Sequence, residues 1–139
     1  MLQTLQALLF LRALPPISNE LINERKVYIP IIGGKKRLII FDLDETLIHC
    51  MGTREECKGK LIDRWVDLQF PGEEKITAGI NIRPHAFECL KRLSKIYQLA
   101  IFTASDSLYA NPVIDLIDPT GSLFCARLYR NNCIQSDTS

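Results

Sequence analysis

The sequence predicts an α/β fold built on a parallel sheet, with a small β-hairpin inserted after the first core strand. Three observations carry that expectation. An apolar run, Leu38 to Phe41, meets solvent at Asp42; a helical pattern runs from Pro84 to Tyr97; a second apolar run, Leu99 to Phe102, ends at Thr103. Strand, helix and strand in that order imply a parallel βαβ unit with a right-handed crossover. Ligands in such sheets gather at the carboxyl ends of the strands, where Asp42 and Thr103 both fall.

Taken in order, the first stretch reads as a short docking helix. Leu2, Leu5, Leu9 and Arg12 recur at helical spacing, and Pro15-Pro16 stops the pattern. The stretch lacks a basic n-region, carries Gln3, Gln6 and Arg12, and falls well short of the ~20 apolar residues of a membrane span. A targeting presequence is the alternative reading. Ile17 to Gly34 reads as a connector, opened by polar Ser18-Asn19-Glu20 and broken by Pro30 and Gly33-Gly34. Lys35-Lys36-Arg37 then form a solvated entry to the first core strand.

Further on, Trp65 to Phe70 and Ile76 to Ile82 have strand character and are separated by Pro71-Gly72-Glu73-Glu74, the pattern of a hairpin. Trp65 and Phe70 either line a pocket or pack the small sheet. Pro84 suits the first turn of a helix, and Phe87, Leu90, Leu93 and Tyr97 give that helix one apolar face.

A chain of 139 residues has room for one domain of ordinary size with a buried core. Its formal net charge of +1 gives no polyelectrolyte signature, so neither nucleic acid nor an anionic membrane is expected as a direct partner. Five cysteines are scattered without a Cys-x-x-Cys pair and read as free thiols of a reducing compartment. Cys50 lies near the first acidic motif and reads as a packing residue.

The specific chemistry sits in Ile40 to His49, Ile-Phe-Asp-Leu-Asp-Glu-Thr-Leu-Ile-His. Residues i and i+2 of a strand point the same way, so Asp42 and Asp44 address one small volume if the extended geometry persists through Leu43. That makes a divalent-metal and phosphoryl site. A lone Asp-x-Asp is unspecific, since glycosyltransferases also carry it. However, Phe41 to Leu47 resembles motif I of the haloacid dehalogenase (HAD) superfamily, in the form found in the RNA polymerase II C-terminal-domain small phosphatase-like family. Ile101-Phe102-Thr103-Ala104-Ser105 resembles motif II of the same group, and Tyr109 to Val113 and Arg127 to Arg130 follow in the family's order.

The resemblance implies a HAD-like (Rossmannoid) parallel sheet, with residues 1–34 as an N-terminal helix and connector and residues 35–139 as a partial phosphatase domain. It implies a Mg2+-dependent protein serine/threonine phosphatase acting through an aspartyl phosphate. Asp42 is then the nucleophile and a metal ligand through its carboxylate. Asp44 is a metal ligand through its backbone carbonyl, with its side chain as general acid and base. Magnesium suits such a site because it takes hard oxygen ligands and keeps several waters. Thr46 braces the loop, Thr103 donates to a phosphoryl oxygen, Tyr109 lines the peptide groove and Arg130 reaches the substrate phosphate, while Arg127 is a surface charge. The implied partner is a phosphoprotein or phosphopeptide, and the compartment nuclear or cytoplasmic, with mitochondrial as the alternative.

Where the family places an apolar residue soon after motif I, this chain has Met51-Gly52. The family continues with a motif III lysine and a motif IV strand ending in Asp-Asp or Asp-Asn. Neither occurs before Ser139, and Lys58, Lys60 and Lys75 all precede motif II. The expectation is therefore a C-terminally incomplete fragment of a working phosphatase, with little activity of its own. The competing reading is a non-catalytic scaffold of the same fold, resembling a mitochondrial import receptor. Asp42, Asp44, Thr46 and Thr103 have no chemical use in a pure scaffold.

Overall fold

The computed structural model describes residues 9–14, 16–34 and 37–134. It divides into two compact units, residues 29–131 and residues 1–28 with 132–139. In the smaller unit residues 9–13 are helical. Leu2, Leu5 and Pro15, which define the expected N-terminal helix and its stop, lie outside the described residues. A helix absent from the sequence reading, α1 (Asn19–Arg25), occupies the stretch expected as a connector. Ser18 caps it, its Oγ accepting the Leu21 N–H at 3.2 Å, while Glu20 in the first turn and Arg25 in the last complement the helix dipole. No residue of α1 is buried, so its sequence shows no apolar face to read.

The larger unit runs β1 (Leu38–Phe41), β2 (Ile48–Thr53), β3 (Arg64–Leu68), β4 (Ile76–Ile82), α2 (Ala86–Leu93), β5 (Gln98–Phe102), α3 (Ser107–Ile117) and β6 (Phe124–Leu128). Its first sheet is parallel with order β1-β5-β6; Leu38 to Phe41 pair with Gln98 to Ile101, and Leu99 to Phe102 pair with Phe124 to Leu128. The central strand is buried from Gln98 to Ile101, as its near-continuous apolar sequence requires. Gln98 is satisfied there: its Oε1 accepts the Ile32 N–H at 3.0 Å and its Nε2 donates to the Pro30 carbonyl at 2.8 Å.

Helix α3 and strand β6 make a second crossover that the sequence reading did not separate. Asp106 caps α3 by accepting the Leu108 N–H at 2.8 Å, and Ala110, Val113, Ile114 and Ile117 form its buried stripe. Arg127 is not the surface charge expected. On β6 it donates to Asp115 at 2.8 Å and to Asn111 at 3.2 Å, tying strand to helix.

The insertion is also larger than a hairpin. It is a three-stranded antiparallel sheet of order β2-β4-β3, with β2 following motif I directly. A bulge hides β2 in the sequence: Cys50 faces Ile80 and Gly52 faces Gly79, leaving Met51 unpaired and breaking the alternation. Gly52 has φ +100°, and a Cβ there would lie 2.5 Å from Glu56 Oε2. That carboxylate accepts both the Thr53 N–H at 2.7 Å and its hydroxyl at 2.9 Å. Trp65 lies beneath Arg54, whose guanidinium carbon is 4.6 Å from the ring centroid, and Phe70 packs against the core.

One apolar cluster joins the two sheets. Ile80, Val66 and Leu68 of the insertion, Leu99 and Ile101 of β5, Leu90 of α2 and the α3 stripe all belong to it, and α3 packs on β3. Among the described residues no helix is long and apolar enough to cross a membrane.

Candidate active site

Motif I leaves β1 as a tight loop anchored on Leu43. The Leu43 side chain is fully buried, and its carbonyl receives the N–H groups of Thr46 (3.3 Å), Leu47 (2.9 Å) and Ile48 (3.2 Å). Glu45 takes φ +59°, an uncommon conformation for a residue with a Cβ, and its N–H donates to the Ile48 carbonyl at 2.8 Å. The loop displays Asp42 and Asp44 in different surroundings.

Asp42 is exposed, and the Thr46 hydroxyl donates to its Oδ2 at 3.1 Å. Asp44 is half-buried and receives hydroxyls from three directions. Tyr109 of α3 donates to Oδ1 at 2.8 Å, Ser105 to Oδ2 at 2.7 Å, and Thr103 at the end of β5 to Oδ2 at 3.4 Å. Burial of the Tyr109 phenol, then its hydrogen bond to Asp44 and the charge of that carboxylate, push its pKa above the ordinary tyrosine value. Hydroxyls can donate or accept. Such a cage offers hydrogen-bond partners to either form of a carboxyl group.

The residues singled out from the sequence take these places. Thr46 sits on Asp42, and Thr103 on Asp44, where its Oγ1 also accepts the Ser105 N–H at 3.1 Å. The Tyr109 hydroxyl ends on Asp44. Arg130 is fastened to the motif II loop: its N–H donates to the Ser105 carbonyl at 3.0 Å and its Nε to the Ala104 carbonyl at 2.7 Å. Cys50, expected to be a packing residue, is exposed on β2. No disulfide joins any of the five cysteines.

Two residues were not assigned from the sequence. Ser105 lies two positions after Thr103 in the Thr-Ala-Ser triplet, and that spacing was the available signal. Arg83 gave none: it lies 37 residues from Thr46, yet its guanidinium reaches the motif I loop carbonyls. Among the described residues no three His, Cys, Asp or Glu side chains converge on a metal position.

The parallel order β1-β5-β6, with acidic residues at the end of β1 and hydroxyls at the end of β5, defines a HAD-like α/β fold. Residues 37–139 match the model of the NLI interacting factor-like phosphatases, and the chain belongs to that family. It is 32% identical over 125 residues to nuclear envelope morphology protein 1 of Schizosaccharomyces pombe, an alignment covering 88% of this chain and 26% of the relative. It is 33% identical over 136 residues to CTD small phosphatase-like protein 3 of Caenorhabditis elegans, covering 92% of this chain and 43% of the relative. Among solved structures it is similar to Fcp1, an essential RNA polymerase II CTD phosphatase, with TM-score 0.58 and 33% identity over 68% of this chain and 30% of that one. The chain thus spans less than half the length of these relatives.

Proposed function

We propose that this chain carries the nucleophile and the acid/base half of a Mg2+-dependent protein serine/threonine phosphatase, within the domain formed by residues 35–139. The observation that carries the reading is the contrast between the two motif I carboxylates. Asp42 is exposed and hydrogen-bonded by Thr46 at Oδ2, which leaves its carboxylate accessible to a substrate; Asp44 is caged by hydroxyls that tolerate a change of protonation.

In this reading an Asp42 carboxylate oxygen attacks phosphorus and the bond from phosphorus to the serine or threonine oxygen breaks. The proton for that leaving oxygen comes from Asp44. Water then attacks the aspartyl phosphate, giving its proton to Asp44 and restoring the Asp42 carboxylate. Splitting one difficult displacement into two is the gain from a covalent route, and proton transfer by a positioned group typically contributes ~10²–10⁴-fold. Arg130, fastened to the Ser105 and Ala104 carbonyls, offers a guanidinium to a phosphoryl group.

The donor set fits a hard cation that retains water. The Asp42 carboxylate is exposed and the Asp44 carbonyl follows two residues on in the same loop, whereas the Asp44 side chain is occupied by hydroxyls. When bound, magnesium offsets repulsion between the carboxylate and phosphate and stabilises negative charge developing on phosphoryl oxygens. The names of the relatives, CTD phosphatases and a nuclear envelope protein, support a phosphoprotein substrate and a nuclear or nearby cytoplasmic setting.

The test is hydrolysis of an aryl phosphate with and without Mg2+, by the wild type and Asp42→Asn, with acid-quenched protein assayed for a hydroxylamine-labile phosphoryl group. Wild-type protein is expected to show Mg2+-dependent turnover and the labile group, and Asp42→Asn neither. Equal rates for the two proteins would leave the scaffold reading.

A further inference from the structure

We infer that Arg83 is a positioning residue: it holds the motif I loop, and through Thr46 the Asp42 carboxylate, in its working geometry. Three consecutive loop carbonyls, Glu45, Thr46 and Leu47, all accept from this one residue. Its Nη2 donates to Glu45 O at 2.8 Å, its Nε to Thr46 O, and its backbone N–H to Leu47 O at 2.9 Å. The inward side of the loop is closed by N–H groups converging on Leu43 O, so Arg83 supplies the outward side. A planar guanidinium presents donors on separate nitrogens in a fixed fork that meets two successive carbonyls at once, whereas a lysine offers a single ammonium nitrogen without that fixed geometry.

The backbone on both sides of this clamp is strained. Among the described residues, Glu45 at φ +59° and His85 at φ +63° are the non-glycine residues with positive φ, and they flank the contact, one in the loop and one two residues after Arg83. Conformations of that kind persist when the surroundings over-determine them. The path onward is short, because the Thr46 whose carbonyl meets Arg83 Nε is the residue whose hydroxyl holds Asp42 Oδ2 at 3.1 Å. The guanidinium is also reachable: Arg83 is exposed and, with Glu45 and Pro84, lines two adjoining clefts.

The catalytic arm of the test rests on the phosphatase reading; the structural arm does not. Arg83→Met keeps the aliphatic stem, and Arg83→Lys keeps the charge without the fork. In Arg83→Met, amide exchange at Leu47 and Ile48 is expected to quicken about tenfold or more while the core amides keep their protection. With an aryl phosphate, kcat is expected to fall roughly 10- to 100-fold with KM within about twofold, since misplacing a reacting group costs rate more than binding. Soluble guanidinium ion at non-denaturing concentration should restore part of kcat to Arg83→Met but not to Arg83→Lys.

Unchanged exchange at Leu47 and Ile48 in a folded variant would overturn the inference, as would a loss carried by KM or one that guanidinium fails to restore. If Arg83→Met does not fold, Arg83→Lys carries the exchange and kcat measurements under the same criteria. If the wild type shows no Asp42-dependent turnover, the phosphatase reading falls, while the exchange comparison still decides whether Arg83 orders the loop.

Discussion

The two sheets of the larger unit divide the labour unequally. The parallel sheet presents polar side chains at one edge: Asp42 and Asp44 follow β1, Thr103 and Ser105 follow β5, and Arg130 follows β6. The antiparallel sheet delivers Arg83 instead, which grips the loop carrying Asp42 and Asp44 from outside. In a parallel sheet all strands end on the same side, so successive crossovers return reactive groups to one place. An antiparallel sheet alternates its strand ends and cannot do so. The candidate site residues thus collect at the strand ends of the parallel sheet, while the insertion meets the motif I loop at the backbone carbonyls of that loop.

The largest expected effect falls on the parallel edge. Asp42→Asn is expected to bring aryl phosphate turnover to background, and Asp44→Asn to cost ~10²–10⁴-fold, more with an alkyl than with a nitrophenyl leaving group because the latter needs no proton. Similar losses for both leaving groups would remove Asp44 from the acid role. Steady-state kinetics on each substrate decides this.

Next comes the boundary between the sheets. Ile80 of the insertion and Ile101 of the parallel sheet are both 0% exposed and belong to one cluster. Ile80→Ala and Ile101→Ala are each expected to cost about 2–5 kcal/mol in urea unfolding, with a single transition in both cases. A biphasic curve for Ile80→Ala alone would show that the insertion unfolds separately. Asp118, 1% exposed at the end of α3, should have a comparable effect. Its carboxylate accepts the N–H groups of Ser122 (2.9 Å), Leu123 (3.1 Å) and Phe124 (3.3 Å) and so sets the entry to β6. Asp118→Ala strands those donors and should cost roughly 3 kcal/mol.

The smallest effect is on the outer face of the insertion. The hydrogen bond from Lys75, then that from Thr77, holds the Asp67 carboxyl below its ordinary pKa. A carboxyl with a depressed folded-state pKa contributes stability above its unfolded value and loses it as pH falls through the folded one. That window lies below about pH 4. Both side chains are more than half exposed, so screening leaves little: Lys75→Met should move Tm by about a degree or less at pH 7. A larger shift would make the outer face a stabilising element rather than a solvated one.

Much of the fold was legible because burial leaves marks in the order of residues. Leu99 to Phe102 announced the buried central strand and Leu90 and Leu93 the helix before it, whereas the equally apolar Leu38 to Phe41 forms a strand with Leu38 and Ile40 exposed, and Phe87 of the expected apolar face is exposed too. The third strand of the insertion was not legible, because the bulge at Met51 disrupts a period of two. Helix α1 was missed because it buries nothing. At the candidate site, Asp42, Asp44 and Thr103 could be singled out from two short motifs, and the structure places those motifs at the ends of the paired strands β1 and β5.

Sequence alone thus determined which residue types stand at which strand ends, and with them the parallel α/β class, because both depend on patterns within a few residues. Tertiary structure decided who touches whom. That Asp44 is caged by Ser105 and Tyr109, 61 and 65 residues away, and that Arg83 holds carbonyls 37 and 38 residues away, follows from crossovers and loop closures. Such contacts are set by packing of the whole core, and no local pattern records them.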